Sequence, residues 1–338
     1  MIFMAIVLGS PIAYADKSTD EHINLGALPY YRAPPFYPKK QVDSGNDGVV
    51  ELNFMVNKEG YTSDPMVTGS SRKAFEREAV VAASQYRYKP VIINGETVVH
   101  FESIRIIFEM RYSTHRASRS FTKLFNSAVE LLVSEQSADK NKIAKLISKM
   151  EKTRYQTLAS EGRLSYLKFK FAIKFGGFLE ELEAAENLNM FNGSRGYDFI
   201  SKKEQYNLKN TLLSLYTKNN QYVEALGVIK GLQKNDISND VELETIKSRI
   251  NSIYNNDQAV LSKIKIHKRG YSSMYLFKNS FSFNNIDGQI NKLKLRCRNS
   301  FAVLEFNPES EYKIPESWEK CHIQILGDKG TTAQLVQF

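Results

Sequence analysis

Gly48-Val-Val-Glu-Leu-Asn-Phe-Met-Val56, followed by Asn57-Lys-Glu-Gly60, decides the fold of the N-terminal part of the chain. Val50, Leu52, Phe54 and Val56 alternate with Val49, Glu51, Asn53 and Met55, which predicts a strand with one face turned to a core. Gly60 can take a positive φ, so the chain turns there and returns as an antiparallel strand through residues 61–68. Pro65 has no N–H to give to a ladder, which places that second strand at an edge or turns its N–H side to solvent. After Ser70 and Ser71, the expected N-caps, Phe75, Ala79, Ala82, Ala83 and Tyr86 recur at helical spacing. Pro90 stops the helix and Asn94-Gly95 marks a tight turn. Alternation resumes over residues 102–110, a third strand. Ile104, Ile106, Phe108 and Met110 share its core face, and Ser103, Arg105, Ile107 and Glu109 the other.

Tyr37-Pro38, Gly48 with its strand, Asn57 to Gly60, Ser70-Ser71, Phe75-Glu-Arg-Glu-Ala79 and Tyr86-Arg-Tyr-Lys-Pro90 resemble, in order and spacing, the C-terminal domain of the TonB energy-transducer family. The resemblance spans residues 30–112. It implies a three-stranded antiparallel sheet packed against helices. It also implies an outer sheet edge that receives a short extended segment, the TonB box, from an outer-membrane transporter. Backbone pairing at such an edge gives affinity, and alternate side chains give selectivity. On this footing Tyr37, Pro38, Ser103, Arg105, Ile107 and Glu109 are the expected partner contacts; the alternative is that they only build the domain.

Outward from this domain, residues 1–15 are apolar and end Ala13-Tyr14-Ala15 before Asp16, a small-x-small pattern that suits a signal peptide cleaved after Ala15. The run is shorter than the roughly 20 residues that a membrane helix needs. No Lys or Arg precedes it, so a membrane anchor is the alternative should the natural start lie upstream. A periplasmic location is expected, with residues 16–29 as a linker. The chain has 338 residues and a net charge of +9, enough for two or three domains of ordinary composition. Most of the basic excess lies beyond residue 112.

Residues 113–262 contain no proline and show helical stripes: Phe121, Leu124, Phe125 and Ala128; Ile143, Leu146, Ile147 and Met150; Leu164, Leu167, Phe171 and Phe175. Turns near Gln136, Gly176 and Asn219 divide the region into α-helical hairpins, and Tyr222-Val-Glu-Ala225-Leu226 resembles a tetratricopeptide repeat. From residue 263 short strands return, punctuated by Asp287-Gly288, Asn307-Pro308 and Gly327 to Gly330, which predicts a small antiparallel β domain. Both cysteines, Cys297 and Cys321, lie in it. In an exported protein they are expected to form a disulfide, contributing roughly 3 kcal/mol to a domain of marginal size. Trp318 is placed to cover that bridge. Lys292, Lys294, Arg296 and Arg298 make one strand face basic, either a solvated face or a contact for an anionic envelope surface.

The five histidines, His22, His100, His115, His267 and His322, are isolated in sequence, so no metal is expected. No nucleophile elbow or phosphate-binding glycine loop occurs, and neither cofactor nor catalysis is expected. Nucleic acid is not an expected partner of an exported chain. The expected fold is α+β, and the expected function is binding of a partner's extended segment in outer-membrane transport or envelope assembly. The rival is an envelope scaffold whose helical region binds partners, its sheet edge covered by its own chain or by a second copy in a homodimer. An outer rim of the third strand sealed from within the molecule counts against the transport reading.

Overall fold

The computed structural model describes residues 12–17, 27–110, 117–134, 139–154, 156–233 and 240–338. The expected leader up to residue 11 and the expected linker over residues 18–26 lie outside the described residues. The first module contains β1 (Ile12–Lys17), β2 (Pro29–Tyr31), α1 (Lys39–Ser44), β3 (Gly48–Val56), β4 (Thr62–Ser70), α2 (Glu76–Ser84), β5 (Arg87–Tyr88), β6 (Val91–Ile93), β7 (Glu96–Val98) and β8 (His100–Glu109). Its main sheet runs β1-β8-β3-β4, antiparallel throughout. Helix α2 lies on one face. Ala79, Ala82 and Ala83 let it approach closely, and Phe75 and Tyr86 fill the ends against Val50, Leu52, Phe54, Ile104, Ile106 and Phe108. Each large side chain fully buried in this layer contributes roughly 1.5–3 kcal/mol.

Two glycines are fixed by close approach. A Cβ on Gly48 would stand 2.4 Å from the Phe75 ring, and one on Gly60, which takes φ +86°, would stand 2.1 Å from the Tyr88 carbonyl oxygen. Asn94 and Gly95 both take positive φ in the two-residue turn between β6 and β7. The serines differ from expectation. A short 3-10 turn, Lys73–Phe75, precedes α2, and no side chain caps that helix. Ser71 Oγ instead accepts the Val49 N–H at 3.0 Å, and Ser70 Oγ donates to Glu76 at 2.5 Å.

The second module is helical: α3 (Arg119–Val133), α4 (Lys140–Glu151), α5 (Leu158–Phe175), α6 (Phe178–Asn189), α7 (Lys202–Lys218), α8 (Tyr222–Gln233) and α9 (Asp240–Asn255). Starts are set by side-chain caps: Ser118, Asp139, Thr157 and Ser201 each accept a backbone N–H from the first turn. Sequential neighbours pack as hairpins, with Gly176-Gly177 between α5 and α6 and residues 219–221 between α7 and α8.

The third module holds β9 (Val260–Lys265), β10 (Tyr271–Tyr275), β11 (Ser280–Asp287), β12 (Ile290–Arg296), β13 (Phe301–Glu305), β14 (Tyr312–Lys313), β15 (His322–Gly327) and β16 (Thr332–Gln337). They form two four-stranded sheets, β10-β15-β12-β13 and β14-β11-β16-β9, around one core that includes Phe281, Leu293, Leu295, Ile323 and Leu335. Cys297 and Cys321 are disulfide-bonded within that core, and the partly buried Trp318 packs against the same core.

Buried polar contacts tie the modules to one another. The Asp47 carboxylate accepts the Met110 N–H at 3.0 Å and, at the first residue of α5, the Leu158 N–H at 3.2 Å. Arg72 Nε donates to Glu161 on α5 at 2.6 Å, and Arg269 Nη2 donates to Glu76 at 3.0 Å. Glu224 on α8 accepts the Tyr275 N–H of β10 at 3.0 Å. The outer rim of β9 is covered by two side chains, of which Asn220 donates to the Leu261 carbonyl at 2.8 Å. The Asn219 carboxamide accepts the Lys263 N–H at 3.0 Å and donates to the Lys263 carbonyl at 3.2 Å.

Candidate protein-binding edge

β8 is the third strand that the alternation predicts, and its residues from His100 to Phe108 are all buried. One face joins the core under α2. The other, read from sequence as the contact face, is covered by the chain's own modules. Ile107 and Val49 lie in a cluster with Leu158, Leu188, Phe191 and Tyr197. Phe101 and Met55 meet Tyr275 of the third module.

The expected contact residues are therefore corrected in their surroundings. Arg105 is 3% exposed; its Nε donates to Glu51 at 3.3 Å and its Nη1 to the Asn192 carbonyl. Glu109 accepts from Arg195 at 2.9 Å. Ser103 and Ile107 are buried. A guanidinium in such a place needs several acceptors to offset its lost hydration, and Glu51 and Asn192 supply them. Tyr37 donates to the Asn46 carbonyl at 2.7 Å, and its ring meets Phe75 and Phe108 edge-on. Burial pushes its phenol well above the ordinary range. Pro38 precedes α1, and its carbonyl accepts the Gln41 and Val42 N–H groups. In this structure Tyr37 and Pro38 build the domain, and Ser103, Arg105, Ile107 and Glu109 face the chain itself.

The expectation of an open outer rim on β8 is overturned. β1 pairs with β8 antiparallel over six positions, from Ile12 opposite Glu109 to Lys17 opposite Ile104. That segment overlaps the end of the expected leader. A strand near the start of a chain can reach this rim only through contacts remote in sequence, which local periodicity does not register.

The basic strand is corrected too. Arg296 is fully buried and pairs with Asp64 of the first module, which also accepts from Lys294 at 2.6 Å. Lys292 and Arg298 pair with Glu305 and Glu319 within the third module. All four cations thus have carboxylate partners on the molecule. Asp64 docks the half of that face made by Lys294 and Arg296, while Lys292 and Arg298 remain partly exposed.

Sequence reasoning missed two surface features. Tyr31, Arg87 and Tyr61 stand side by side across neighbouring strands, the Arg87 guanidinium 4.4 Å over the Tyr61 ring. A groove of about 670 Å³ lies among α7, α8 and α9, lined by Tyr206, Leu213, Tyr222, Leu243, Ile246 and Arg249 among others. Among the described residues, no helix is long and apolar enough to cross a membrane.

With this geometry in place, comparison with known proteins bears on the first module. Residues 33–110 match the family described as Gram-negative bacterial TonB protein C-terminal. The solution structure of the Pseudomonas aeruginosa TonB CTD is 25% identical and covers 26% of this chain and 90% of that chain, with a TM-score of 0.24. A hydroxyethylphosphonate dioxygenase mutant is 11% identical and covers 96% of this chain and 78% of that chain, with a TM-score of 0.12. No curated protein matches. The match thus covers residues 33–110 of the first module, and the helical and β modules lie outside it.

Proposed function

We propose that this is a non-catalytic, periplasmic protein-binding component of the bacterial envelope. It holds an extended segment of an outer-membrane transporter or another envelope protein by strand addition at β8. The match of residues 33–110 to the TonB C-terminal family carries the reading. β1 seals the outer rim of β8, which counts against it unless that strand leaves, but its six antiparallel pairs in regular register make that rim one that accepts a strand. The rim thus has the geometry that strand addition needs, where backbone amides supply affinity. The test is calorimetric titration of the chain beginning at residue 18 with peptides taken from transporter extended segments, with amide exchange followed over residues 102–109. Absence of heat and of new protection with every such peptide would count heavily against the reading.

A second reading, the envelope scaffold, is favoured by the sealed rim together with the groove among α7, α8 and α9. In that case Ile246→Glu with Arg249→Glu removes partner binding, whereas deletion of residues 1–17 leaves it unchanged. Under strand addition the groove variant leaves partner binding unchanged and deletion of residues 1–17 raises it.

A further inference from the structure

The occupant of the β8 rim comes from the same chain, and its register places Ile12 to Lys17 opposite residues 104–109. On the inner side β3 pairs with β8 along its length, from Gly48 opposite Phe108 to Val56 opposite His100. A visiting strand has only the outer side, and there it meets β1. We infer that residues 12–17 are an intramolecular stand-in for the partner segment, which closes the binding edge and must leave before a partner enters. The inference rests on strand addition at β8 as the binding mode.

Three considerations support it. An uncovered edge strand presents a row of unpaired N–H and C=O groups that recruits other chains, and covering it with a short strand removes that hazard. Only residues 18–28 separate β1 from β2. A tether of that length holds its end at an effective concentration of about millimolar, so a partner segment of micromolar affinity competes at a disadvantage of about 100-fold or more. Finally, the cleavage point expected from the Ala13-Tyr14-Ala15 pattern falls inside β1. Hydrolysis of the Ala15–Asp16 bond by a signal-peptidase-type enzyme adds one water, leaves a carboxylate on Ala15 and an ammonium on Asp16, and releases Ile12 to Ala15. Those residues make four of the six register pairs. Asp16 and Lys17 remain opposite Arg105 and Ile104, too short a remnant to hold a strand. The same few residues therefore close the edge before processing and open it afterwards.

The experiment compares the full chain with a chain beginning at residue 18. In the full chain alternate amides over residues 104–109 are protected, and in the shorter chain their exchange rises about tenfold or more. A synthetic peptide of residues 10–19 binds the shorter chain, restores that protection and fails to bind the full chain. The peptide carrying Tyr14→Pro with Ala15→Pro does not bind. Successive N–H groups point to opposite sides of a strand, so one of the two prolines removes a ladder bond. Ile12→Cys with Glu109→Cys, oxidised, keeps the edge shut in the full chain. Equal protection in the two chains overturns the inference, as does peptide binding to both alike. If the residue 10–19 peptide binds the shorter chain and every transporter peptide fails, intramolecular closure stands and the partner assignment falls. If transporter peptides bind both chains equally, closure falls and partner binding stands.

Discussion

Asp64 and Arg296 are 232 residues apart in sequence and meet in one ion pair between the first and third modules. Asp64 takes a positive φ on β4. Arg296 is wholly buried and also donates to Gln324 at 2.8 Å. Lys294 and Arg296, half of a strand face that reads from sequence as solvated and basic, dock on a carboxylate from another module.

Asp64→Ala leaves a buried guanidinium without its anion. Removing one partner of a buried pair costs about 3–5 kcal/mol; the partial exposure of Asp64 puts the expected loss nearer 3. Urea denaturation measures it, and Arg296→Met in the same background should recover part of the loss. An unchanged midpoint would show that the pair contributes nothing.

Asp47→Ala removes the acceptor of two backbone donors, Met110 N–H and Leu158 N–H. Each buried donor left unsatisfied costs roughly 1–3 kcal/mol. Faster amide exchange is expected at Met110 and at the start of α5, with β9 to β16 little affected.

Stability should respond to pH from both sides. Burial pushes the carboxyl groups of Asp47 and Glu161 up to about 6 and that of Glu224 up to about 7. A raised acid binds its proton more tightly in the folded chain, so stability is lost as pH climbs from the ordinary carboxylate range through these values. Burial lowers His100 to about 4 and His322 to about 3. Those rings bind protons less tightly when folded, so stability is lost as pH falls below 6.5. Glu224→Gln should therefore gain on the parent chain as pH rises from 4.5 to 7, read as a widening difference in Tm. A constant difference would show that Glu224 titrates normally.

Cys297→Ser with Cys321→Ser opens a loop whose ends lie 24 residues apart. Loops of that size give about 3 kcal/mol by the chain-entropy account. The midpoint of the third module should fall accordingly under oxidising conditions, while the intact chain should show a similar fall on reduction.

Local pattern carried the first module well, because alternation at 49–56 and 102–110 and the helical recurrence of Phe75, Ala79 and Ala83 are properties of neighbouring residues. The Gly176-Gly177 break and the strand before Cys297 were legible for the same reason. What escaped was every contact made over long sequence distance. Arg105 and Ser103 sit where an amphipathic strand faces water, and only the arrival of Asn192, Leu188 and Tyr197 buries that face. The third module has two sheets rather than one, since β9 and β14 acquire partners only from β16 and β11. The candidate edge was legible as an edge. That it is closed was not, because its occupant reads locally as an export leader.

Asn219 and Asn220, in the turn between α7 and α8, cover the outer rim of β9: the Asn219 carboxamide imitates a rung of the ladder by both accepting and donating at Lys263, and the Asn220 carboxamide donates to the Leu261 carbonyl at 2.8 Å. Edge-to-edge strand pairing through that rim is thereby opposed by two adjacent side chains. Self-assembly at high concentration, if provoked, would have to nucleate elsewhere on the sandwich, with β13 and its half-exposed Val303 the more vulnerable flank.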